Sequence, residues 1–307
     1  TLSFSSISAY RECPRQHWYR YRLRLPAQPA VEAQLGTIIH LALMRAGHLR
    51  RQGREVSRDL LRDLYQEAWE TVGLSEPRRR LALEGLGWRL LSDLHQAGGL
   101  DGRPWLLEAP FTATLDGWTL RGIIDRVDRI ENNPPTQGGG GWAPDGAEAA
   151  AGGSGGSRAP LPGTRALPAD GKPPLPGTGA IPGERKAPLR EKGRIAAGPP
   201  AAWRIVDYKT GRPQQVSRLK RDLQLALYAA GARSLPGIAA EDRIELEVVY
   251  LRDGRRVSVE ATPELVEEAL RAGREVADGV REGRFEPRPE RRRCSLCPYR
   301  LACDAAP

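Results

Sequence analysis

No run of apolar residues in this 307-residue sequence is long enough to cross a bilayer, which excludes a membrane-spanning helix. The opening TLSFSSISAYRECPRQHWYR turns basic and polar where a secretory leader would carry its apolar segment, so a cytoplasmic setting is expected. Neither GxxxxGKS/T nor GxGxxG occurs, which excludes an ATPase motor or a dinucleotide-binding turn in this piece. The first residue is threonine, so a processed chain or a domain cut from a longer protein is expected. Cysteine is scarce: Cys13 stands alone near one end, and Cys294, Cys297 and Cys303 stand together at the other.

What is present is ordinary for a soluble globular protein, 40% hydrophobic and 28% charged. From 132 to 202 the chain becomes Gly, Pro, Ala and Ser with scattered charges. That composition buries too little apolar surface to offset chain entropy, so a disordered low-complexity insertion is expected there, inside one domain spanning 1–307. The net charge of +9 favours a polyanionic partner, although composition alone fits solubility equally well. The placement of the charge says more. Arg11, Arg15, Arg20, Arg22 and Arg24 flank the first cysteine, and Arg288, Arg291, Arg292 and Arg293 precede the last three, so the basic runs meet if the cysteines do.

Periodicity predicts a short helix behind Ser3 that bears Cys13, then helices over 31–50, 55–72 and 78–97. The period then changes to two. WLLEAPFTATL and WTLRGIIDRVDRI, separated by Asp116 and Gly117, predict an antiparallel hairpin. After the insertion come the strand WRIVDYKT, a helix over VSRLKRDLQLALYAAGAR, a hairpin turning at Asp253 and Gly254, and a last helix from Pro263. This order predicts an α/β sandwich around a small mixed sheet.

Asp207 and Lys209 alternate on one strand and so share a face. Asp125, at the end of another strand, can approach them. Two carboxylates that close repel, and burial without a counter-charge is costly, so the pattern asks for a hard divalent ion such as Mg2+ or Mn2+. The carbonyl of Tyr208 is a candidate third ligand, and Lys209 a group to hold the attacking water. On its own a DxK triplet also fits a surface strand with a salt bridge. Glu108 and Asp128 are further candidates. Asp128, three residues past Asp125, is expected on the opposite face with an arginine partner.

In order along the chain stand Gly36 to His40 (GxxxH), Gly122 to Asp125 (GxxD), Asp207 to Lys209 (DxK) and Gln224 to Tyr228 (QxxxY). The sequence in this respect resembles the RecB-like branch of PD-(D/E)xK nucleases. The resemblance implies an α/β, restriction-endonuclease-like core with helices flanking a mixed central sheet. It further implies that His40, Asp125 and Asp207 bind the catalytic metal with the Tyr208 carbonyl, that Lys209 serves the water, and that Gln224 and Tyr228 support the site from a helix. Taken alone, a lone helical histidine reads as a packed or surface residue, and Gln224 and Tyr228 read equally as sheet packing.

Four cysteines so spaced in a cytosolic protein point to ligation rather than disulfides, and allow either zinc or a 4Fe-4S cluster. The same branch, including AddB-type helicase-nuclease subunits, carries one cysteine before the core and three after it as an iron-sulfur staple. The resemblance therefore implies a structural 4Fe-4S cluster on Cys13, Cys294, Cys297 and Cys303, with zinc as the alternative, and with 1–25 and 285–307 together forming the cluster-binding region. The opening LSFSSISAYRECPRQHWYRYRLRLP resembles the start of nuclease domains at the C-terminus of UvrD-like helicases. The expected function is a metal-dependent DNA nuclease acting on single strands or ends in recombination and repair alongside a helicase. A catalytically silent nucleic-acid-binding module and a zinc-stabilised interaction domain are the competing readings. Trp18, Tyr19 and Tyr21, interleaved with arginines, could stack bases or pack around the cluster.

Overall fold

Period-two alternation builds the centre of the molecule. In the computed structural model, which describes residues 1–27, 30–74, 77–115, 117–130, 201–219 and 222–307, five strands form one sheet in chain order. They are β1 (Leu106–Leu115), β2 (Trp118–Ile130), β3 (Ala202–Lys209), β4 (Arg243–Tyr250) and β5 (Arg256–Glu260). Neighbours run antiparallel except β3 and β4, which are parallel. A parallel pair needs a crossover, and the helices between those strands provide it.

The helices are α1 (Phe4–Glu12), α2 (Pro14–His17), α3 (Val31–Arg51), α4 (Arg58–Val72), α5 (Arg80–Gln96), α6 (Val216–Leu219), α7 (Leu223–Ala232), α8 (Pro263–Arg281) and α9 (Arg291–Ser295). Ser3 caps α1 in a reciprocal box with Ser6, and Ser57 and Thr262 cap α4 and α8. Two buried clusters lie on the two faces of the sheet. Trp203, Ile205, Leu246 and Val248 pack with residues of α7 and α8, while Val206, Tyr208, Val249 and Leu251 pack with residues of α3, α4 and α5. The mixed sheet flanked by helices follows the expected fold class. Among the described residues no helix is long and apolar enough to cross a membrane.

Several expectations change in detail. The helix expected over 216–233 is two, α6 and α7, because the Asp222 side chain accepts from the backbone N–H of Gln224 and Leu225 and starts a new helix there. The helix α9 was not expected; Glu290 caps it by accepting from Arg292 and Arg293. In the β1–β2 turn Gly117 adopts φ +85, while Asp116 lies outside the described residues. The insertion expected over 132–202 also lies outside them, except that Ala201 is described and Ala202 already opens β3. The chain divides into two units, Thr1–Thr136 with Gly198–Pro307, and Gln137–Ala197. All described residues belong to the first.

Candidate active site

On β3, Trp203 and Ile205 face the α7 and α8 side, and Val206 and Tyr208 face the α3 side. Alternation therefore turns Asp207 and Lys209 toward α7, where Gln224 meets them. Lys209 Nζ lies 2.9 Å from Asp207 Oδ2 and donates to Gln224 Oε1 at 2.6 Å. The Gln224 amide in turn donates to Asp207 Oδ1 at 3.2 Å and to the Tyr228 hydroxyl at 2.9 Å. Gln224 and Tyr228, one turn apart on α7, are thus joined to the DxK pair.

Asp125 lies where β2 loses its alternation, since Ile124 and Val127 both belong to the α7-side cluster. One of its oxygens accepts from the Tyr208 N–H at 3.1 Å, and the other is 3.4 Å from His40 Nδ1. The other imidazole nitrogen of His40 is 3.0 Å from the Tyr208 carbonyl oxygen. Three distant segments, α3, β2 and β3, therefore converge on the backbone of one residue, Tyr208. Ligand atoms of His40, Asp125 and Glu108 all lie within 4.8 Å of one another, and among the described residues no other three His, Cys, Asp or Glu side chains do so. Glu108 belongs to this group although the DxK pattern gives it no place. Asp207 is outside it, on the α7 side with Lys209. Asp128 is bound by Arg126 at 2.8 and 3.0 Å, the arginine partner expected for it.

The charges are strained together. Burial pushes the Glu108 carboxyl up to about 7, the Asp125 charge adds to it, and His40 offsets part. Burial opposes a charge on His40, but the hydrogen bond and charge of Asp125 outweigh it and raise the imidazole to about 9. Burial likewise raises Asp207, Lys209 pulls it back, and the Asp125 charge raises it again. Burial also pushes the Tyr228 phenol up, which keeps it a neutral hydrogen-bonding group. Asp207 Oδ2 is buried, with the Lys209 ammonium near but no aligned hydrogen bond.

The four cysteines, 281 positions apart at their first and second members, line one pocket with Arg15, Tyr19 and Arg288. Backbone N–H groups of Arg288 and Glu290 point at the sulfurs of Cys13 and Cys294, each at 3.5 Å. Burial pushes the Cys297 thiol up, and the nearness of Cys13, Cys303 and Cys294 adds to that. Tyr19 packs here, donating to the Ala302 carbonyl and contacting Tyr299, while Arg15 and Arg20 lie over the rings of Trp18 and Tyr21.

No curated protein matches the chain. A family model described as the PD-(D/E)XK nuclease superfamily matches residues 1–135 and 194–304.

Proposed function

Because the chain belongs to the PD-(D/E)XK nuclease superfamily, we propose that it is a Mg2+- or Mn2+-dependent deoxyribonuclease acting on single-stranded DNA or DNA ends. The observation that carries this reading is the meeting of His40, Glu108 and Asp125 within 4.8 Å, beside the linked Asp207, Lys209 and Gln224. The donor set fits a hard divalent ion: two carboxylates and an imidazole, a main-chain carbonyl at Tyr208, and a buried Asp207 oxygen without an aligned hydrogen bond. His40, Asp125, Asp207 and the Tyr208 carbonyl are the proposed ligands, with Glu108 added to them.

An ion bound there would act as a Lewis acid on a phosphate oxygen and make a bound water more acidic. Lys209, held by Asp207 and Gln224, positions the attacking water and offsets charge gathering on the phosphoryl oxygens. The water adds to phosphorus, one P–O ester bond breaks, and a phosphate monoester and a hydroxyl result. Tyr228 keeps Gln224 in place through its hydroxyl. The net charge of +9 supports a polyanionic substrate. We further propose a role in recombination and repair alongside a helicase, supported by the opening segment's resemblance to helicase-linked nuclease domains.

The cysteine pocket is proposed to hold a 4Fe-4S cluster. Four thiolates lining one pocket fit zinc or a 4Fe-4S cluster, and the resemblance to the iron-sulfur-stapled branch favours the cluster. Backbone N–H groups aimed at sulfur also suit a cluster. Anaerobically purified protein should be brown, with iron and sulfide in equal amounts; a colourless zinc protein would overturn this assignment.

The enzymatic reading is tested with 5′- and 3′-labelled single-stranded DNA in the presence of Mg2+ or Mn2+. The wild type should cut, and Asp207→Ala or Lys209→Ala should abolish cutting while leaving DNA binding. Wild-type protein that binds DNA yet never cuts it would favour a silent binding module instead.

A further inference from the structure

The β1–β2 hairpin carries two metal-site carboxylates on one face and leaves the rest of that face bare. Trp118, Leu120 and Ile124 of β2, with Ala109 and Phe111 of β1, belong to the cluster packed with α7 and α8. A Cβ on Gly122 would strike the Phe111 ring on that same side. Alternation therefore turns Arg121, Ile123 and Asp125 to the α3 side, together with Glu108, Pro110 and Thr112 of β1. Pro110 pairs with Ile123 there, and Thr112 with Arg121. The helix α3 covers only the root of the hairpin, since it meets Asp125 through His40 and Leu107 at Gly47. Beyond Glu108, Pro110, Thr112 and Arg121 are exposed, and Ile123 is 49% exposed.

Two features set this open face apart from a merely solvated one. A sheet face turned to water is ordinarily polar, yet Ile123 and Pro110 lie side by side on it. The Arg121 guanidinium, next along the face, has no hydrogen bond or ion pair among the described residues. Arg121 precedes Asp125 by four residues, which is about 13 Å along a strand. At the stacked rise of about 3.4 Å per nucleotide, that places it within about four nucleotides of the metal site. Glu108 and Asp125 repel phosphate, so a strand drawn to the ion needs a cation close by, and Arg121 supplies it. Apolar side chains reach base faces only where the bases are unstacked, as in a single strand and not inside a duplex.

We propose that this face is the track along which a single DNA strand reaches the metal site, with Arg121 on a phosphate and Ile123, backed by Pro110, against a base. The inference rests on the nuclease reading above and names the surface that the substrate crosses.

The test measures binding of a labelled single strand and of a blunt duplex to the full chain by fluorescence anisotropy, without divalent ions, over a range of salt. Arg121→Ala should weaken single-strand binding severalfold and lower the slope of log affinity against log salt by about 0.7, the share of one phosphate. Arg121→Lys should restore both, because a phosphate contact needs the charge. Ile123→Ser should weaken single-strand binding roughly fivefold with the slope unchanged, and leave duplex binding within twofold. Arg271→Ala is the control, an exposed arginine of α8 in the layer on the other side of the sheet, and should leave affinity and slope at wild-type values. Equal losses for Arg121→Ala and Arg271→Ala, or no rescue by lysine, overturn the inference alone if the wild type cuts with Mn2+. A loss of duplex binding on Ile123→Ser equal to the loss for single strands overturns the single-strand assignment. A wild type that neither binds single strands nor cuts them overturns the inference and the reading beneath it. Both side chains are exposed, so the variants should melt with the wild type; loss of fold in either would show that the face serves the core and would also overturn the track.

Discussion

Gly122 and Gly36 open two of the four motifs, yet they face different neighbours. A Cβ on Gly122 would come within 2.6 Å of the Phe111 ring, which is buried and also abuts Gly231 of α7. One on Gly36 would meet Thr210 Oγ1 at 3.6 Å, an ordinary contact. Gly122→Ala should therefore cost about 1–3 kcal/mol by overpacking. It should also slow cleavage, because Phe111 packs edge-on against Tyr228. Gly36→Ala, inside a helix, should raise stability by about 1 kcal/mol. Thermal denaturation of the two variants checks this, and equal melting points would refute the steric argument. Glu108 was within reach of the sequence. A two-residue turn at 116–117 pairs Leu115 with Trp118, and counting back along the hairpin puts Glu108 opposite Asp125, between the observed pairs Leu107–Arg126 and Ala109–Ile124. What the pattern does not carry is the φ of +42 at Glu108.

His17 gives a pH effect of its own at this scale. It is buried between Tyr10, Tyr21 and Phe285, and burial, helped by the Arg22 charge, lowers it to about 4. The unfolded chain takes up this proton near 6.5 and the folded one does not, so stability is whole above pH 6.5 and is lost as the pH falls toward 4. Glu108 and Asp207, raised by burial, act in the opposite sense over part of this range. The contribution of His17 is therefore read as the difference between wild type and His17→Phe, which should lose melting temperature less steeply from pH 6.5 to pH 4. Parallel curves for the two proteins would count against it.

Among elements, α7 shows how a local choice reaches the chemistry. The apolar run over 216–233 reads as one helix because its period does not lapse at Asp222. A short acidic side chain that can accept from N–H groups two and three residues on can equally sit in a helix or restart one, and periodicity does not separate these outcomes. The restart matters, since Asp222 holds the Gln224 N–H at 2.8 Å and so sets the residue that bridges Asp207 and Lys209. Asp222→Ala should cost about 1 kcal/mol and lower the cleavage rate severalfold while DNA affinity stays as it was. Chemical denaturation and single-turnover cleavage measure the two effects, and an unchanged rate would separate the cap from the site. The strands were easier to read, because β1 and the first half of β2 alternate, β3 is a nearly continuous buried run, and the β1–β2 pairing follows from the turn.

At the scale of the whole molecule, the two ends of the chain are tied by bonds that span nearly its full length. Tyr10 donates to the Arg284 carbonyl at 2.6 Å, Arg288 to the Arg11 carbonyl at 2.7 Å, and Tyr19 to the Ala302 carbonyl at 2.8 Å. A ligated group on the four thiols would add a cross-link across the same span, worth roughly 3–5 kcal/mol through the entropy of the unfolded chain. Cys13→Ala should therefore lower the melting temperature and remove the colour of the proposed cluster, whereas Asp207→Ala should keep the colour. A Cys13→Ala protein with unaltered melting would mean that the ends are held by their hydrogen bonds alone.

The amino-acid order by itself determined the strand segments β1 to β3, the sandwich class, the ordered motif residues, and the separation of the cysteines to the two ends, because each depends only on side-chain type and local spacing. Tertiary structure alone decided that His40 joins Glu108, Asp125 and the Tyr208 carbonyl, and that Gln224 meets Asp207 and Lys209. Those contacts join residues from 15 to 168 positions apart. They exist only once hydrophobic burial has brought α3, β1, β2, β3 and α7 together, and no local periodicity encodes that.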